Sequence, residues 1–552
     1  MDLLVRNKEK IFIIMAIILI ILFAISISPK ALQNDTFYTV TIGKQIAEKG
    51  IDMQDHYSWH EGLPYTYPHW LYDLGMYQIY NLGGWTGIYI SICVLTSILG
   101  LCIFYANSKL SKNTLISFLV TIGVMYLLKG YIAARAQLVT FICFILLIYN
   151  IERFIEKRKI INAISIIIIH ILIANLHVAV WPFSFVLYLP YIAEYLIAAL
   201  IECVIYSKPE KFYLKRKIKS MNKQGKNPLM YETRLKFLEG KNEKVTQKRN
   251  KTVPYKITIR KRDNTKWLII IMIIAIFTGL LTPLGKVPYT YNYLTMIGNT
   301  TKNINEHLPL TLINNTPILC TLIIIFALIT FTNAKIRLTD LLMLGGLTFL
   351  MFKMRRQQSM FVLIGSIAFT RTLVDLLKNH IDYPTEEMTK RFFNQYTGAI
   401  IILLVLLLSK NMYKGVKRKE YVNESTYPVQ ASEWMLKNLD LKKVKLFNEY
   451  NYGSYLLYKG IPVFVDSRCD LYAPEFNTPT GNAADGTDYF MDFINTSNIS
   501  TYYGDTFKKH KITHVILYKN SKINMLITKT DSEKYKELYS DDNFVIYEII
   551  KY

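Results

Sequence analysis

Apolar residues of this 552-residue chain gather into blocks of roughly twenty, the length that crosses a bilayer core, over its first three quarters. The blocks lie near residues 11–28, 85–106, 113–128, 135–151, 160–177, 182–206, 267–283, 316–332, 338–352, 358–375 and 397–412. They predict about eleven transmembrane helices, of which 113–128 and 338–352 are short. The longest breaks in the pattern are 29–84, 207–266 and the tail from 413. In the tail, short β-rich runs at Val444–Phe447, Val463–Val465, Thr513–Leu517 and Phe544–Ile549 alternate with helical patterning, as at Tyr455–Tyr458. The expected architecture is a mainly α-helical integral membrane domain, 1–412, carrying a small α/β domain, 413–552. The first block has a short basic flank (Arg6, Lys8, Lys10) and no clear cleavage site, which predicts an uncleaved signal-anchor.

Charge then orients the chain. A net +24 in a soluble protein would point to nucleic acid, but here the basic residues are unevenly placed. Segment 207–266 holds twenty Lys and Arg against five Asp and Glu. The positive-inside rule puts that insertion, and Arg153–Lys159 with it, in the cytoplasm on the anionic inner leaflet. Parity makes the N-terminus cytoplasmic and places the 29–84 loop and the tail outside a cell membrane. No nucleic-acid partner is needed. The six cysteines show neither metal spacing nor a disulfide framework.

With that parity the chemically interesting residues share one face. In the opening loop, Asn34-Asp35 heads a run, Thr36–Ala47, suited to a helix lying on the membrane; either residue can cap it, and Asp35 can also act as a base. Asp52 and Asp55 suit a turn or an acid site. His69, Trp70 and Asp73 open a second short helix, with His69 and Asp73 one turn apart. Arg135 and Gln137 stand where a span begins, and Arg135 either snorkels to headgroups or clamps a phosphate. His177 ends another span, and Glu306 lies in the loop 284–315. Arg355 and Arg356 sit in a basic turn that breaks the positive-inside rule, which binding an anion would explain.

The order of motifs resembles bacterial GT-C-type polytopic glycosyltransferases, the class using polyprenyl- or dolichyl-phosphate sugars, and more closely a branch with a C-terminal α/β domain. The matching residues are Asp35-Thr-Phe, Thr41-Ile-Gly-Lys, Gly50-Ile, Asp55-His-Tyr-Ser58, Trp70-Leu71 and Gly83-Gly84-Trp85, then Ala134-Arg135-Ala-Gln137, Asn175-Leu-His177, Pro283-Leu-Gly285, Ile304-Asn-Glu306 and Arg356. In the tail they are Phe447-Asn-Glu-Tyr-Asn-Tyr-Gly453 and Val465-Asp466-Ser-Arg468-Cys-Asp470-Leu-Tyr472. The resemblance implies a GT-C-like fold and inverting transfer of a sugar from a lipid-phosphate donor to an extracytoplasmic acceptor, a cell-wall polymer, glycolipid or protein. It implies Asp35 as general base with Asp55 or Glu306 in support. Arg135, Arg355, Arg356, His177 and Gln137 would hold the donor phosphate, and His69, Trp70 and Asp73 would support the acceptor or the loop itself. Some members of the class use a divalent cation and others do not. This chain has one carboxylate in Asn34-Asp35, where a pair is common, and His69 where a Glu is expected, so the metal stays unassigned. The alternative is a catalytically inactive scaffold or lipid-binding component of an envelope-assembly complex.

Overall fold

A computed structural model describes residues 2–204, 207–251, 256–298, 300–380, 396–478 and 486–552. The end of the expected 182–206 span and residues 252–255 of the insertion lie outside the described residues. Every apolar block forms helix, the one open structure that satisfies its own backbone in hydrocarbon. Among the described residues seven helices are long and apolar enough to cross a bilayer: Lys10–Ile27, Trp70–Ser111, Thr114–Tyr131, Ala136–Lys157, Val178–Val204, Arg355–Lys378 and Gly398–Lys417. Ile160–Leu176, Thr265–Leu280 and Thr316–Phe331 are shorter apolar helices. Helix α1 (Asp2–Ile27) buries Phe12, Ala16, Ile20 and Phe23 while exposing Ile11, Ile14, Ile18 and Leu22. Apolar residues inside and out are what a lipid-facing helix requires.

The opening loop is compact. Helix α2 (Asn34–Lys49), the expected helix after Asn34-Asp35, packs between α3 (Trp70–Ser111) and the tail helix Tyr450–Tyr458. The reason lies in its composition: Phe37, Tyr38, Val40, Ile42 and Ile46 fall on more than one face and all are buried. Gly43 permits the crossing, because a Cβ there would stand 2.1 Å from the Asp73 carbonyl oxygen. The expected short helix at residue 70 is continuous with the following span in α3, joined by a kink at Gly84, whose φ of 55° favours glycine.

In the tail, four strands, β3 (Leu446–Phe447), β4 (His514–Tyr518), β5 (Tyr535–Ser540) and β6 (Phe544–Ile549), form a sheet ordered β3-β4-β6-β5. β3 runs parallel to β4, and the other pairs are antiparallel. β1 (Ile257–Thr258) and β2 (Ile336–Arg337) are a separate two-residue parallel pair at the insertion. Val463–Val465 does not join the tail sheet; Val463 bridges to Ser58 of the opening loop. Loop and tail are stitched in further places. Trp59 Nε1 donates to the Leu446 carbonyl at 2.8 Å, Asn34 Nδ2 donates to the Tyr450 carbonyl at 2.8 Å, and Phe37 stacks edge-on against Tyr427 and Tyr455.

A second polar centre lies inside the bundle. Glu152 of α5 (Ala136–Lys157) meets Arg337 at 2.7 Å and Arg371 at 3.0 Å, and Asp340 pairs with the same two arginines at 2.6 and 3.0 Å. Arg262, at the end of the basic insertion, reaches Glu152 at 3.6 Å. By helical rise this cluster is about 25 Å along α5 from Arg135. It ties the insertion to the bundle, and sequence reading gave no sign of it.

Candidate functional site

The site is assembled from helix ends and short turns. Asp35 sits in the first turn of α2, whose N-cap is Gln33, with no capping side-chain hydrogen bond. Neither Asn34 nor Asp35 caps the helix: Asn34 binds the tail, and Asp35 is left to an ion pair. Arg135, the residue preceding α5, approaches Asp35 Oδ2 with Nε at 2.7 Å and Glu306 Oε1 with Nη1 at 3.0 Å. One guanidinium therefore joins acids that lie 271 positions apart in the chain. All three side chains remain partly exposed, at 21% for Asp35, 29% for Arg135 and 48% for Glu306.

Glu306 occupies a single 3-10 turn, Asn305–His307, packed against a second one, Arg355–Gln357. The Arg355 N–H donates to the Leu308 carbonyl at 2.9 Å, fixing one turn to the other. Among the described residues neither Arg355 nor Arg356 has a carboxylate within ion-pairing distance, although Arg135 has two. Among the described residues the Arg355 Nε is buried without a hydrogen-bond partner, as is Nδ1 of His307. Buried polar groups are almost always satisfied, so these two unpartnered nitrogens, on turns packed against each other, mark a place suited to an anion. Burial tends to raise the Glu306 carboxyl, but Arg135 and Arg356 outweigh it and hold it below the usual range. His307 is pushed down to about 4 by burial and by Arg356.

His69, just ahead of α3, packs its ring 4.7 Å from that of His177, which follows α6 (Ile160–Leu176). Thr140 Oγ1 lies 3.0 Å from His177 Nδ1, and the Val178 N–H donates to the Pro68 carbonyl at 3.0 Å. Burial, then the charges of Arg356 and Arg135, push His69 down to about 3, so it is neutral at pH 7. Trp70 Nε1 donates to Asn175 Oδ1 at 3.2 Å, which is a structural use. Gln137 is buried in the first turn of α5. Asp73 is fully buried under α2, with Thr39 of that helix beside its carboxyl.

Asp55 departs furthest from expectation. It is fully buried and pairs with Arg468 of the tail at 2.7 Å; Arg468 also binds Asp466 at 2.8 Å. Burial works to raise the Asp55 carboxyl, yet Arg468 and the Ser58 hydroxyl and N–H hold it below the ordinary range. Asp55 thus joins loop to tail and does not stand beside Asp35. Sequence reading missed Tyr38, one turn after Asp35, whose hydroxyl lies 3.5 Å from His69 Nδ1. The i, i+3 spacing from Asp35 was the available signal. Tyr38 and His69 also line a cavity of about 70 Å³ between loop and tail, with Tyr65, Tyr291, Arg468 and Asp470 around it.

Asp35 and Glu306 are the acids that could share a divalent cation here, but both are turned onto Arg135, whose guanidinium already supplies the positive charge between them. Among the described residues no three His, Cys, Asp or Glu side chains converge as metal ligands. All six cysteines are free. Searches against models of protein families and against curated proteins find no match to this chain.

Proposed function

We propose that the chain is a GT-C-like membrane glycosyltransferase that moves a sugar from a polyprenyl-phosphate donor to a hydroxyl of an extracytoplasmic acceptor. The observation carrying this reading is the joining of Asp35 and Glu306 by Arg135, beside two arginines that have no carboxylate partner among the described residues. In this reading eleven spans cross a cell membrane, the N-terminus and basic insertion are cytoplasmic, and the site and tail lie outside. The acceptor hydroxyl gives its proton to Asp35 as its oxygen bonds to the anomeric carbon. The bond from that carbon to the phosphate oxygen breaks on the opposite face, inverting the configuration. The electron pair leaves with polyprenyl phosphate, whose added charge Arg355 and Arg356 meet. Arg135 orients Asp35 and Glu306, and neutral His69 and His177 pack behind them.

The scaffold reading draws on one feature, that Arg135 already occupies the Asp35 carboxylate. Lipid identity tests the proposal first. The protein purified from its own membranes should carry a polyprenyl-phosphate sugar detectable by mass spectrometry, and Arg355→Ser/Arg356→Ser should lose most of it. Equal lipid on both forms would overturn the arginine assignment.

A further inference from the structure

The basic insertion folds as two packed helices, Lys208–Lys223 and Leu229–Lys251, joined by a turn with Gly225 at φ 67°. Leu214 and Leu238 fill the seam between them. Between 208 and 243 the chain has eleven Lys and Arg against four Asp and Glu. Two of those acids are used across the seam, Glu210 with Arg234 at 2.8 Å and Glu239 with Lys215 at 3.7 Å. Each seam pair takes one cation with one acid, so the excess of seven positive charges is unchanged and falls on the remaining side chains.

The outward faces are also unusually apolar. Phe212 is 69% exposed, Tyr213 57%, Met230 81% and Phe237 61%. Phe212, Arg216, Lys219 and Lys223 follow the i, i+4, i+7, i+11 spacing of one helical stripe, and Met230, Phe237 and Lys241 follow a second. An aromatic or methionine followed along the stripe by cations is the pattern of an interfacial helix, which sinks its apolar groups below the headgroups and leaves ammonium groups among the phosphates. Lys215, Lys219 and Lys223 further edge an open groove of about 540 Å³ floored by Ile218 and Leu235.

We propose that this hairpin lies on the membrane and binds anionic lipid headgroups. The attachment of the insertion favours lipid over a soluble acidic partner. Its first helix starts four residues after the apolar helix ending at Val204, and the chain re-enters apolar helix at Thr265. Both ends are held at the bundle, so the nearest extended anionic surface is the headgroup layer, at a high effective concentration. This inference does not depend on what the Asp35 site does.

The test is hydrogen exchange on the full chain in nanodiscs of phosphatidylcholine alone and of phosphatidylcholine with about 30% phosphatidylglycerol. Amides of 208–243 should exchange about tenfold more slowly in the anionic discs, and the difference should vanish near 1 M salt, where the Debye length is ~3 Å. Lys219→Glu/Lys223→Glu should lose the protection, and Phe212→Ser/Phe237→Ser should weaken it with the charge unchanged. Equal exchange in both discs would overturn the proposal, as would protection by a soluble acidic protein and not by phosphatidylglycerol. If a variant unfolds, the wild-type comparison between the two lipids still decides.

Discussion

At Asp55 an arginine from far along the chain, Arg468, closes to 2.7 Å in a site sealed from water. Removing one member of a buried pair strands the other charge, a loss of about 3–5 kcal/mol. Arg468→Ala should therefore lower the melting temperature sharply, and Asp55→Ala should do the same. Because the folded Asp55 carboxyl sits below its ordinary value of ~3.9, its stabilisation is complete above about pH 4 and fades as pH falls through the lower folded value. Glu449 behaves oppositely. Burial raises it to about 7, so stability is fully present below its unfolded value of ~4.3 and is lost as pH rises through about 7. Glu449→Gln should match wild type at about pH 4 and melt at a higher temperature at about pH 8, the gap opening between the two; equal melting at both would remove the assignment.

Helix α2 shows what local pattern conveys and what it leaves out. Its existence was legible from the apolar residues after Asn34, and Asp35 stood out as the acid of its first turn. Its burial was not, because the surfaces covering it come from α3 and from Tyr450–Tyr458, more than 400 positions away. The same limit applies to Asp55, whose Asp-His-Tyr-Ser setting suits a turn and says nothing of Arg468. Arg135, His177, Glu306 and Arg356 were easier to find, since each ionisable group stands at the end of an apolar block or in a loop between two. Val463–Val465 has strand composition, yet its one bridge goes to Ser58 and not to the tail sheet. At this scale Gly43 is the sharpest probe. Gly43→Ala places a methyl against backbone and should cost about 1–3 kcal/mol through overpacking, read as a lower melting temperature. An unchanged melting temperature would mean α2 and α3 sit further apart.

For the molecule as a whole, the opening loop and tail act as one body set on a helical bundle. Phe37 sits among Trp85, Tyr427, Tyr455 and Tyr458, so it joins loop, span and tail at a single point. Phe37→Ala should cost about 3–5 kcal/mol and make the tail more open to limited proteolysis. A tail as resistant as wild type would show that the two fold independently. The same docking positions Asp35, because α2 is held between α3 and the tail while Arg135 reaches it from α5. The central claim is that this Asp35 is the base. The direct measurement is sugar transfer in reconstituted vesicles from the co-purifying lipid donor, comparing wild type with Asp35→Asn. The account predicts a loss of about 100- to 10,000-fold in turnover with donor lipid still bound. Turnover equal to wild type in a folded Asp35→Asn protein would contradict it.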